Sequence, residues 1–347
     1  MADYRDRTYL SAGEAAKMLG VSVAVLHDLV RAGRIPAKRA ASGQFRFDIS
    51  DLREYSGTQV ESGLDSHSIG RDLVIEVSGT CQRILNADAR SMSEIADGST
   101  HLAITSPPYF NAKMYSAKPI EGDLGDVHEL ETWLTEIGRV WAEVFRVLQP
   151  GRKFFLNIMN LPIRENGSFR ALNLVGRTVE LCGNLGWVFK RDIVWQKTNS
   201  VRAHFGTYPY PGGILINNNH EFILEFEKPA PKGYQKYRHL TKEQKEASRL
   251  DKAFWIEIKK SDVWVMKPQG SGDRRSHVAP FPYELPYRLI KAYSYVGETV
   301  LDPFVGSGTT LLAAADLRRN GVGYEINPEI AEGAIKALKN HQPELWK

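Results

Sequence analysis

The turn that decides the fold is Asp302-Pro303-Phe304-Val305-Gly306-Ser307-Gly308-Thr309-Thr310. It follows a short apolar strand candidate, Thr299–Leu301, and opens a helical pattern from Leu311 to Leu317. Glycines at a strand-to-helix turn let a ligand approach the backbone closely, and α/β sheets bind nucleotides in crevices at the carboxyl ends of their strands. The next strand candidate ends in Gly323-Tyr324-Glu325, and an acidic residue at that place typically holds a pair of ribose hydroxyls. The turn lacks the Gly-Lys-Ser/Thr of a phosphate loop, which disfavours nucleoside triphosphate hydrolysis.

Strand and helix patterns alternate along the chain from about residue 71. Apolar residues recur at spacings of three and four from Leu130 to Leu148, and Pro150-Gly151 is expected to end that helix. Such alternation predicts an α/β fold with a mainly parallel sheet that is covered on both faces. The further strand candidates are His101–Thr105, Lys153–Met159, Ile193–Gln196, Glu221–Glu227 and Gly321–Ile326.

A second turn, Ser106-Pro107-Pro108-Tyr109, comes directly after the strand candidate His101–Thr105. Its two prolines fix φ near about −65° and remove two backbone donors, so the carbonyls of this corner can only accept hydrogen bonds. Ser106 adds an acceptor and Tyr109 offers a flat ring. Such a corner suits an amino group on a flipped-out base, because its N–H bonds are taken up while the base stacks on the ring. Taken alone, the corner is equally consistent with an ordinary turn after a strand.

Together the two turns resemble the motifs of the beta-class DNA amino-methyltransferases, in which the catalytic motif precedes the cofactor motif as it does here. Asn86-Ala87-Asp88 is similar to the acidic strand end that holds the cofactor's adenine in that family. Asp192–Lys197 is similar to its Trp-x-Lys strand, and His277–Pro286 to the segment that packs over the cofactor. The resemblance covers nearly all of residues 71–347. It implies a Rossmann-like, S-adenosylmethionine-dependent methyltransferase sheet with a circularly permuted motif order.

The resemblance also implies roles for individual residues. Catalysis would rest on Ser106, Pro107, Pro108 and Tyr109, without a metal. The residues implied to bind S-adenosyl-L-methionine are Asp88, Phe281, Asp302, Phe304, Gly306, Gly308, Thr309, Thr310 and Glu325.

The implied activity is site-specific methylation of N4 of a flipped cytosine in double-stranded DNA. A Ser-Pro-Pro-Tyr corner is the family's usual form for cytosine, whereas Asp or Asn before Pro-Pro-Tyr is usual for adenine, so N6 of adenine stays the alternative. Methylation of carbon 5 would need a cysteine nucleophile, and neither Cys81 nor Cys182 adjoins the corner. A catalytically silent DNA-binding regulator and an RNA methyltransferase are the alternatives from other classes.

Residues 1–58 predict a small separate domain. A helix over Ala12–Leu19, a turn at Gly20 and a second helix over Ser22–Arg31 make a helix-turn-helix pattern. A wing hairpin is expected to turn at Ser42-Gly43, and the whole order is similar to the winged helix-turn-helix of excisionases and MerR-type proteins. Such a unit contacts DNA or docks on another protein. Residues 59–70 are polar and rich in Gly and Ser, which predicts a linker to a methyltransferase domain at 71–347.

A basic stretch with interleaved aromatic residues lies at 228–268. Beta-class enzymes place their target recognition region at this point of the chain, so the resemblance implies that 228–268 contacts DNA. The alternative is a solvated helical face over Thr241–Leu250.

The composition limits the class of protein. The chain has 347 residues, of which 42% are hydrophobic and 25% charged, and a formal net charge of +4, values that suit a soluble globular protein. Its two cysteines have no metal-ligand spacing, which fits a reducing cytoplasm, and its apolar runs are too short to span a membrane. A homodimer and a cognate restriction endonuclease remain open as partners.

Overall fold

The computed structural model describes residues 9–19, 26, 30, 35–39, 45–52, 72–110, 120–165, 168–198, 216, 218–268 and 281–341. The chain divides into two compact units, Met1–Ser68 and Ile69–Lys347. The linker expected at 59–70 lies outside the described residues.

The first unit contains the strands β1 (Tyr9–Ser11), β2 (Lys38–Arg39) and β3 (Phe45–Asp48) and the helix α1 (Ala12–Leu19). The strands form an antiparallel sheet with the order β1-β3-β2. The Glu14 carboxylate accepts from the Ser11 N–H at 3.0 Å and from the Ser11 hydroxyl at 2.8 Å, which fixes the start of α1. Leu10, Leu26 and Phe47 are among the buried residues of a small core of its own.

The structure confirms two features predicted for this unit. The helix predicted over Ala12–Leu19 is α1, and β2 pairs with β3 as expected of the wing. Within the second helix predicted over Ser22–Arg31, the structure describes Leu26 and Val30, both helical. The rest of that helix and the turn at Ser42-Gly43 lie outside the described residues.

The second unit is organised around one large sheet. Its described strands are β4 (Asp72–Val77), β5 (Thr80–Leu85), β6 (Thr100–Thr105), β7 (Leu148–Ile158), β8 (Leu161–Glu165), β9 (Ser168–Leu172), β10 (Val188–Lys197), β11 (His220–Glu227), β12 (Val263–Met266), β13 (Thr299–Asp302) and β14 (Asn320–Tyr324). Nine of them form the sheet, in the order β12-β10-β11-β7-β6-β13-β14-β5-β4, and β8 pairs with β9 as a separate hairpin. Within the described strands of the sheet, β4 and β11 run opposite to the other seven, which confirms a mainly parallel sheet.

Helices cover both faces of this sheet, as predicted. Those described in the unit are α2 (Leu130–Val147), α3 (Leu174–Asn184), α4 (Lys242–Ala247), α5 (Lys252–Lys260), α6 (Glu284–Tyr293), α7 (Thr309–Asp316) and α8 (Pro328–Lys339). Ala103 of β6 packs into the core beneath α2 and α3, whereas its neighbours Leu102 and Ile104 pack into the core beneath α6 and α7. None of the helices that the structure describes combines the length and the apolar character needed to cross a membrane.

One predicted boundary is wrong. The helix α2 ends at Val147, before Pro150-Gly151, because Leu148 already belongs to β7 and pairs with Thr100 of β6. The N–H of Gly151 donates to the Lys228 carbonyl at 2.8 Å. The proline and glycine therefore lie inside a strand.

Residues 228–250 lie at the amino ends of the parallel strands. Lys236 Nζ donates to the carbonyl of Gly151 in β7 at 3.2 Å, and Gln244 Nε2 donates to the carbonyl of Val296, just before β13, at 3.2 Å. The antiparallel strand β11 carries the chain to this edge. It returns along α5 and β12, where Met266 pairs with Lys197 at the end of β10.

Candidate active site

A cavity of about 290 Å³ opens at the opposite edge, where the parallel strands have their carboxyl ends. The structure brings both predicted turns to its wall. The predicted residues that line the cavity are Asp88, Ser106, Pro107, Pro108, Tyr109, Phe281, Asp302, Phe304, Gly306, Thr309 and Glu325. Gly308 and Thr310 do not line it.

Asp302 connects the two turns. It ends β13, is 1% exposed, and its Oδ1 accepts from the Thr105 hydroxyl at 2.6 Å and from the Phe304 N–H at 3.1 Å. Its Oδ2 accepts from the Thr310 hydroxyl at 2.5 Å. Burial raises the pKa of Asp302 to about 6. Thr310 thus holds the turn from behind the cavity wall, on the side away from a ligand.

Glu325 follows β14 and faces the glycine turn. Its Oε2 accepts from the Gly306 N–H at 3.1 Å, and its Oε1 accepts from the Asn327 N–H at 2.9 Å. Burial raises the pKa of Glu325 to about 7, and the negative charge of Asp123 adds to that rise. The ionised carboxylate, which predominates above neutral pH, accepts hydrogen bonds at both oxygens, whereas the protonated acid donates from one of them.

The two glycines of the turn have different surroundings. Gly306 has φ +50°, and a Cβ added there would have only the Phe304 carbonyl oxygen, at 3.9 Å, within 4 Å. Gly308 has φ +86° and precedes α7, and a Cβ added there would lie 3.4 Å from the Ala334 side chain of α8. Both positions favour glycine because of their positive φ, but Gly306 borders the cavity and Gly308 borders a helix.

Asp88 lies at the cavity wall and is paired with Arg90. Arg90 Nε donates to both carboxylate oxygens at 2.9 and 3.0 Å, and its Nη2 donates to Oδ2 at 2.6 Å. Arg90 also contacts Glu136 of α2 and donates to the Gly122 carbonyl at 3.1 Å. Asn86 donates to the Glu325 carbonyl at 2.8 Å and so joins the ends of β5 and β14. The acidic strand end is therefore held rigidly beside the glycine turn.

This part of the cavity wall is acidic. Asp123, which the sequence patterns did not single out, is 8% exposed, and burial raises its pKa. Its Oδ1 accepts from the Gly125 N–H at 2.8 Å. The acidic residues of the wall at this end are Asp88, Asp123, Asp302 and Glu325. When ionised, they favour a ligand that carries positive charge.

The Ser-Pro-Pro-Tyr corner lines a different part of the wall, together with Lys197 and Glu221. The Tyr109 hydroxyl donates to Glu221 Oε2 at 2.8 Å, and Lys197 Nζ lies 2.6 Å from Glu221 Oε1. The corner is therefore backed by a charged pair in which Glu221 is buried and Lys197 is partly exposed.

Aromatic residues on the wall also belong to the core. Phe304 packs edge-on against Trp141 of α2, with ring centroids 6.0 Å apart. Phe281 is 7% exposed and packs with the core beneath α6. Phe110 packs against Trp133, with ring centroids 6.4 Å apart, and does not line the cavity.

Neither cysteine lies at the cavity. Cys81 is exposed on β5, and Cys182 is buried in α3, where burial raises the pKa of its thiol. The described wall therefore offers no thiolate nucleophile beside the corner.

A group of potential metal ligands lies at the far edge of the sheet. His101, His239 and Glu298 have ligand atoms within 4.8 Å of one another. His101 Nδ1 accepts from the Thr299 N–H at 3.1 Å, and Glu298 contacts Arg152 and accepts from the Tyr295 N–H at 2.8 Å. Burial, with a smaller contribution from Arg152, lowers the pKa of His101 to about 3. These atoms are already engaged, and the group lies away from the cavity.

The expected recognition region is divided between the two edges. Residues 228–250 lie near Gly151, and the strand from Gly151 to Met159 at the cavity spans roughly 26 Å. This distance disfavours direct contact between 228–250 and a base held in the cavity.

Two residues of the wall, Glu221 and Lys197, were not among the predicted site residues. Glu221 directly precedes the apolar run Phe222-Ile223-Leu224 of a strand that the pattern predicts to be buried, and a buried carboxylate needs a partner. Lys197 ends the segment that is similar to the family's Trp-x-Lys strand, and the resemblance implied no role for it in catalysis or cofactor binding.

Models of two protein families match the chain. One, described as DNA methylase of the N6/N4 methyltransferase type, matches residues 100–336, and the other, described as a helix-turn-helix domain, matches residues 9–56. The type II methyltransferase M.MjaI of Methanocaldococcus jannaschii is 32% identical over 284 residues, which cover 72% of this chain and 89% of that protein. The type II methyltransferase M.MthZI of Methanothermobacter thermautotrophicus is 32% identical over 266 residues, which cover 72% of this chain and 74% of that protein.

Solved structures share the fold. A protein of Thermus thermophilus named as a DNA modification methylase, solved with S-adenosyl-L-methionine, has a TM-score of 0.58 and 33% identity over 74% of this chain and 93% of its own. The PvuII DNA methyltransferase, named as cytosine-N4-specific, has a TM-score of 0.54 and 17% identity over 76% of this chain and 87% of its own, and shows the fold alone. The chain belongs to the N6/N4 family of S-adenosyl-L-methionine-dependent DNA methyltransferases.

Proposed function

We propose that this methyltransferase modifies N4 of cytosine in double-stranded DNA. The observation that carries the proposal is the neutral Ser106 hydroxyl at the cavity wall, in a corner where an Asp or Asn would favour adenine. A hydroxyl can accept a hydrogen bond from an amino group or donate one elsewhere, whereas a carboxylate only accepts.

The wall residues fit the cofactor. S-adenosyl-L-methionine supplies an electrophilic methyl group on a positively charged sulfonium, which suits an acidic wall. We propose that Glu325 holds the ribose hydroxyls, that Asp88 lies beside the adenine, and that Gly306 and Phe304 shape the surface under the nucleoside. Thr309 lies at the start of α7, where the backbone N–H groups favour a carboxylate. Gly308, Thr310 and Asp302 position these residues.

The corner holds the amino group that is methylated. The amino lone pair is conjugated with the ring, so hydrogen bonds from its N–H groups to acceptors are needed to return electron density to nitrogen. Acceptors are supplied by the Ser106 hydroxyl and by the backbone carbonyls around Pro107 and Pro108. The two prolines have no N–H group that could compete as a donor. The ring of Tyr109 offers a stacking surface that keeps the amino group in line with the methyl group.

A second observation favours cytosine over adenine. Lys197 lines the same cavity as Ser106 and Tyr109, and its ammonium group has three donors. Cytosine carries a ring carbonyl oxygen that can accept from it, whereas adenine has none.

The test is nucleoside mass spectrometry of unmethylated DNA treated with the purified protein and cofactor. We expect N4-methylcytosine. N6-methyladenine without N4-methylcytosine would overturn the base assignment and leave the family unchanged.

We propose that the helix-turn-helix unit adds affinity for DNA. Lys38 of β2 and Arg46 of β3 are exposed and lie directly opposite each other in the wing. Like charges at such a pair destabilise a hairpin. A DNA phosphate bound between the two side chains would remove this repulsion.

We further propose a cognate restriction endonuclease as a functional partner, because the relatives described above are type II methyltransferases. DNA from cells that express this protein should then resist an endonuclease that recognises the same sequence and cuts it only when it is unmethylated.

A further inference from the structure

The Glu221 carboxylate is the centre of a hydrogen-bond network beneath the catalytic corner. It is 7% exposed. Its Oε2 accepts from the Tyr109 hydroxyl at 2.8 Å and from Asn157 Nδ2 at 2.6 Å, and its Oε1 pairs with Lys197 Nζ at 2.6 Å. Both oxygens therefore have partners, and one of these partners belongs to the Ser-Pro-Pro-Tyr corner.

Three neighbouring strands bring these groups together. Glu221 of β11 pairs with Trp195 of β10, and Lys197 follows two residues later on the same face. Asn157 lies on β7, which pairs with the other side of β11. A buried carboxylate is unfavourable unless it is paired and hydrogen-bonded, so a network of this kind that includes a residue of the corner points to a role beyond packing.

A second glutamate on the same strand provides the contrast. Glu225 is 2% exposed, lies on the same face of β11 as Glu221, and pairs with Lys153 at 2.8 Å and with Arg191 at 3.1 Å. It does not line the cavity and has no bond to the corner. Glu225 therefore shares the burial and the ion pairing of Glu221 but not its contact with Tyr109.

We propose that Glu221 is a positioning residue for methyl transfer: by accepting from the Tyr109 hydroxyl it fixes the plane of the ring on which the flipped target base stacks. This proposal rests on the stacking role given above to Tyr109. The bond holds the tip of the side chain, where a small tilt moves the stacking surface furthest. Lys197 compensates the carboxylate charge, and Asn157 supplies a second donor to the same oxygen.

The proposal predicts which step is affected. The glutamate touches neither Glu325 nor Gly306, so cofactor affinity should not depend on it. DNA affinity that comes from phosphate contacts should not depend on it either. A misplaced ring should instead lower the rate of methyl transfer, because alignment of the amino group is lost.

The experiment is a double-mutant cycle with Glu221→Leu, which removes the acceptor, and Tyr109→Phe, which removes the donor. Single-turnover transfer of labelled methyl groups to unmethylated bacteriophage DNA gives the rate, and calorimetry gives the cofactor affinity and shows that each variant is folded. We expect each single variant to be about 10-fold slower or more, and the double variant to match Tyr109→Phe within about twofold, because coupled residues are not additive. Additive losses, or a wild-type rate for Glu221→Leu or for Tyr109→Phe, would overturn the proposal.

Two further variants separate this proposal from the stacking role itself. Glu225→Leu, the matched control, should be less stable but should transfer methyl groups at the wild-type rate when folded. Tyr109→Ala removes the ring and tests stacking. If Tyr109→Ala is inactive while Tyr109→Phe is fully active, stacking stands and positioning by Glu221 is overturned; if Tyr109→Ala retains the wild-type rate, both are overturned.

Discussion

The Thr105 hydroxyl donates a hydrogen bond of 2.6 Å to Asp302 Oδ1, across 197 positions of the chain. Thr105 precedes the Ser-Pro-Pro-Tyr corner, and Asp302 opens the glycine turn. The Ser-Pro-Pro-Tyr corner and the glycine turn are therefore joined by a buried side-chain bond between the ends of the paired strands β6 and β13.

Thr105→Val keeps the shape of the side chain and removes this bond. We expect the unfolding free energy to fall by about 1–3 kcal/mol, because Asp302 Oδ1 loses its hydroxyl donor in a buried site. Cofactor affinity should fall by about 10-fold as the turn shifts, an effect of roughly 1.4 kcal/mol.

Thermal unfolding and calorimetry measure both effects. Thr100→Val is the matched control, because Thr100 lies in the same strand, is 1% exposed and donates to the Val147 carbonyl at 2.9 Å. It should lose similar stability and keep its cofactor affinity. Equal losses of cofactor affinity in the two variants would show that the bond from Thr105 to Asp302 has no specific effect on cofactor binding.

Gly306→Val should abolish cofactor binding. The φ of +50° is strained for a side chain, and a branched side chain would extend into the cavity. Gly79→Val is the control, since Gly79 has φ +74° in the turn between β4 and β5 and no atom within 4 Å of an added Cβ. Calorimetry should find no binding to the folded Gly306 variant and wild-type binding to the Gly79 variant. A folded Gly306→Val protein with unchanged affinity would remove the cofactor assignment from this turn.

Cofactor affinity should rise with pH between about 6 and 8. The pKa of Glu325, about 7, lies above its ordinary value of 4.5 because of burial, and the ionised form accepts from ribose hydroxyls at both oxygens, whereas the protonated form donates from one of them. Below pH 7 binding must displace a proton, so calorimetry in buffers of different ionisation enthalpy should detect proton release. Glu325→Gln should bind weakly and show no such rise around pH 7; a flat profile for the wild type would contradict the role of Glu325.

The same raised pKa values predict how stability depends on pH. The folded, cofactor-free protein binds protons at Glu325 and Asp302 more tightly than the unfolded chain does. Their stabilising contribution is therefore present below pH 4 and is lost as pH rises through about 6 for Asp302 and about 7 for Glu325. Thermal unfolding from pH 5 to 8 should show that the rise in melting temperature caused by the cofactor becomes larger as the pH increases. A rise that becomes smaller with increasing pH would contradict the predicted direction of this pH dependence.

Removing the positive charges of the wing should weaken DNA binding and leave the rate of methyl transfer from bound cofactor unchanged. For Lys38→Ala with Arg46→Ala we expect about 10-fold lower affinity for DNA and a salt dependence reduced by about two phosphate contacts. Deletion of residues 1–58 should weaken DNA binding further and leave cofactor affinity intact. Unchanged DNA affinity in both proteins would make the unit a protein-docking module.

Much of the fold follows from sequence patterns, and the exceptions have physical causes. The apolar strands β6, β7, β10, β11, β13 and β14 were predicted, whereas β4, β5, β8, β9 and β12 were not. The strand β5 was missed because Thr80 and Gln82 are polar. Gln82 is nevertheless 0% exposed, since its amide donates to the Thr80 hydroxyl at 2.7 Å and to the Arg319 carbonyl at 2.8 Å. A pattern that counts polar residues as exposed cannot find such a strand.

The candidate site shows the same limit. Both turns carry glycine and proline signals that act locally, so their residues could be named from the sequence. The contact of Asp302 with Thr105 and the contact of Glu221 with Tyr109 each join segments that are far apart in the sequence. Local periodicity does not predict the order of strands in the sheet, so it could not predict these contacts. For the same reason the position of residues 228–250 at the far edge depends on the direction of β11 and was not foreseen.

The order of strands has a consequence for biosynthesis. The strands β13 and β14 lie between β6 and β5, and they are the last strands made. Val300 must find Leu102, and Gly321 must find Gln82, after more than half of the chain has left the ribosome. Until then β5 and β6 expose unpaired backbone edges, and pairing over such sequence separations is slow. The unfinished polypeptide should therefore depend on protection from aggregation, and the cavity should be among the last parts of the molecule to form.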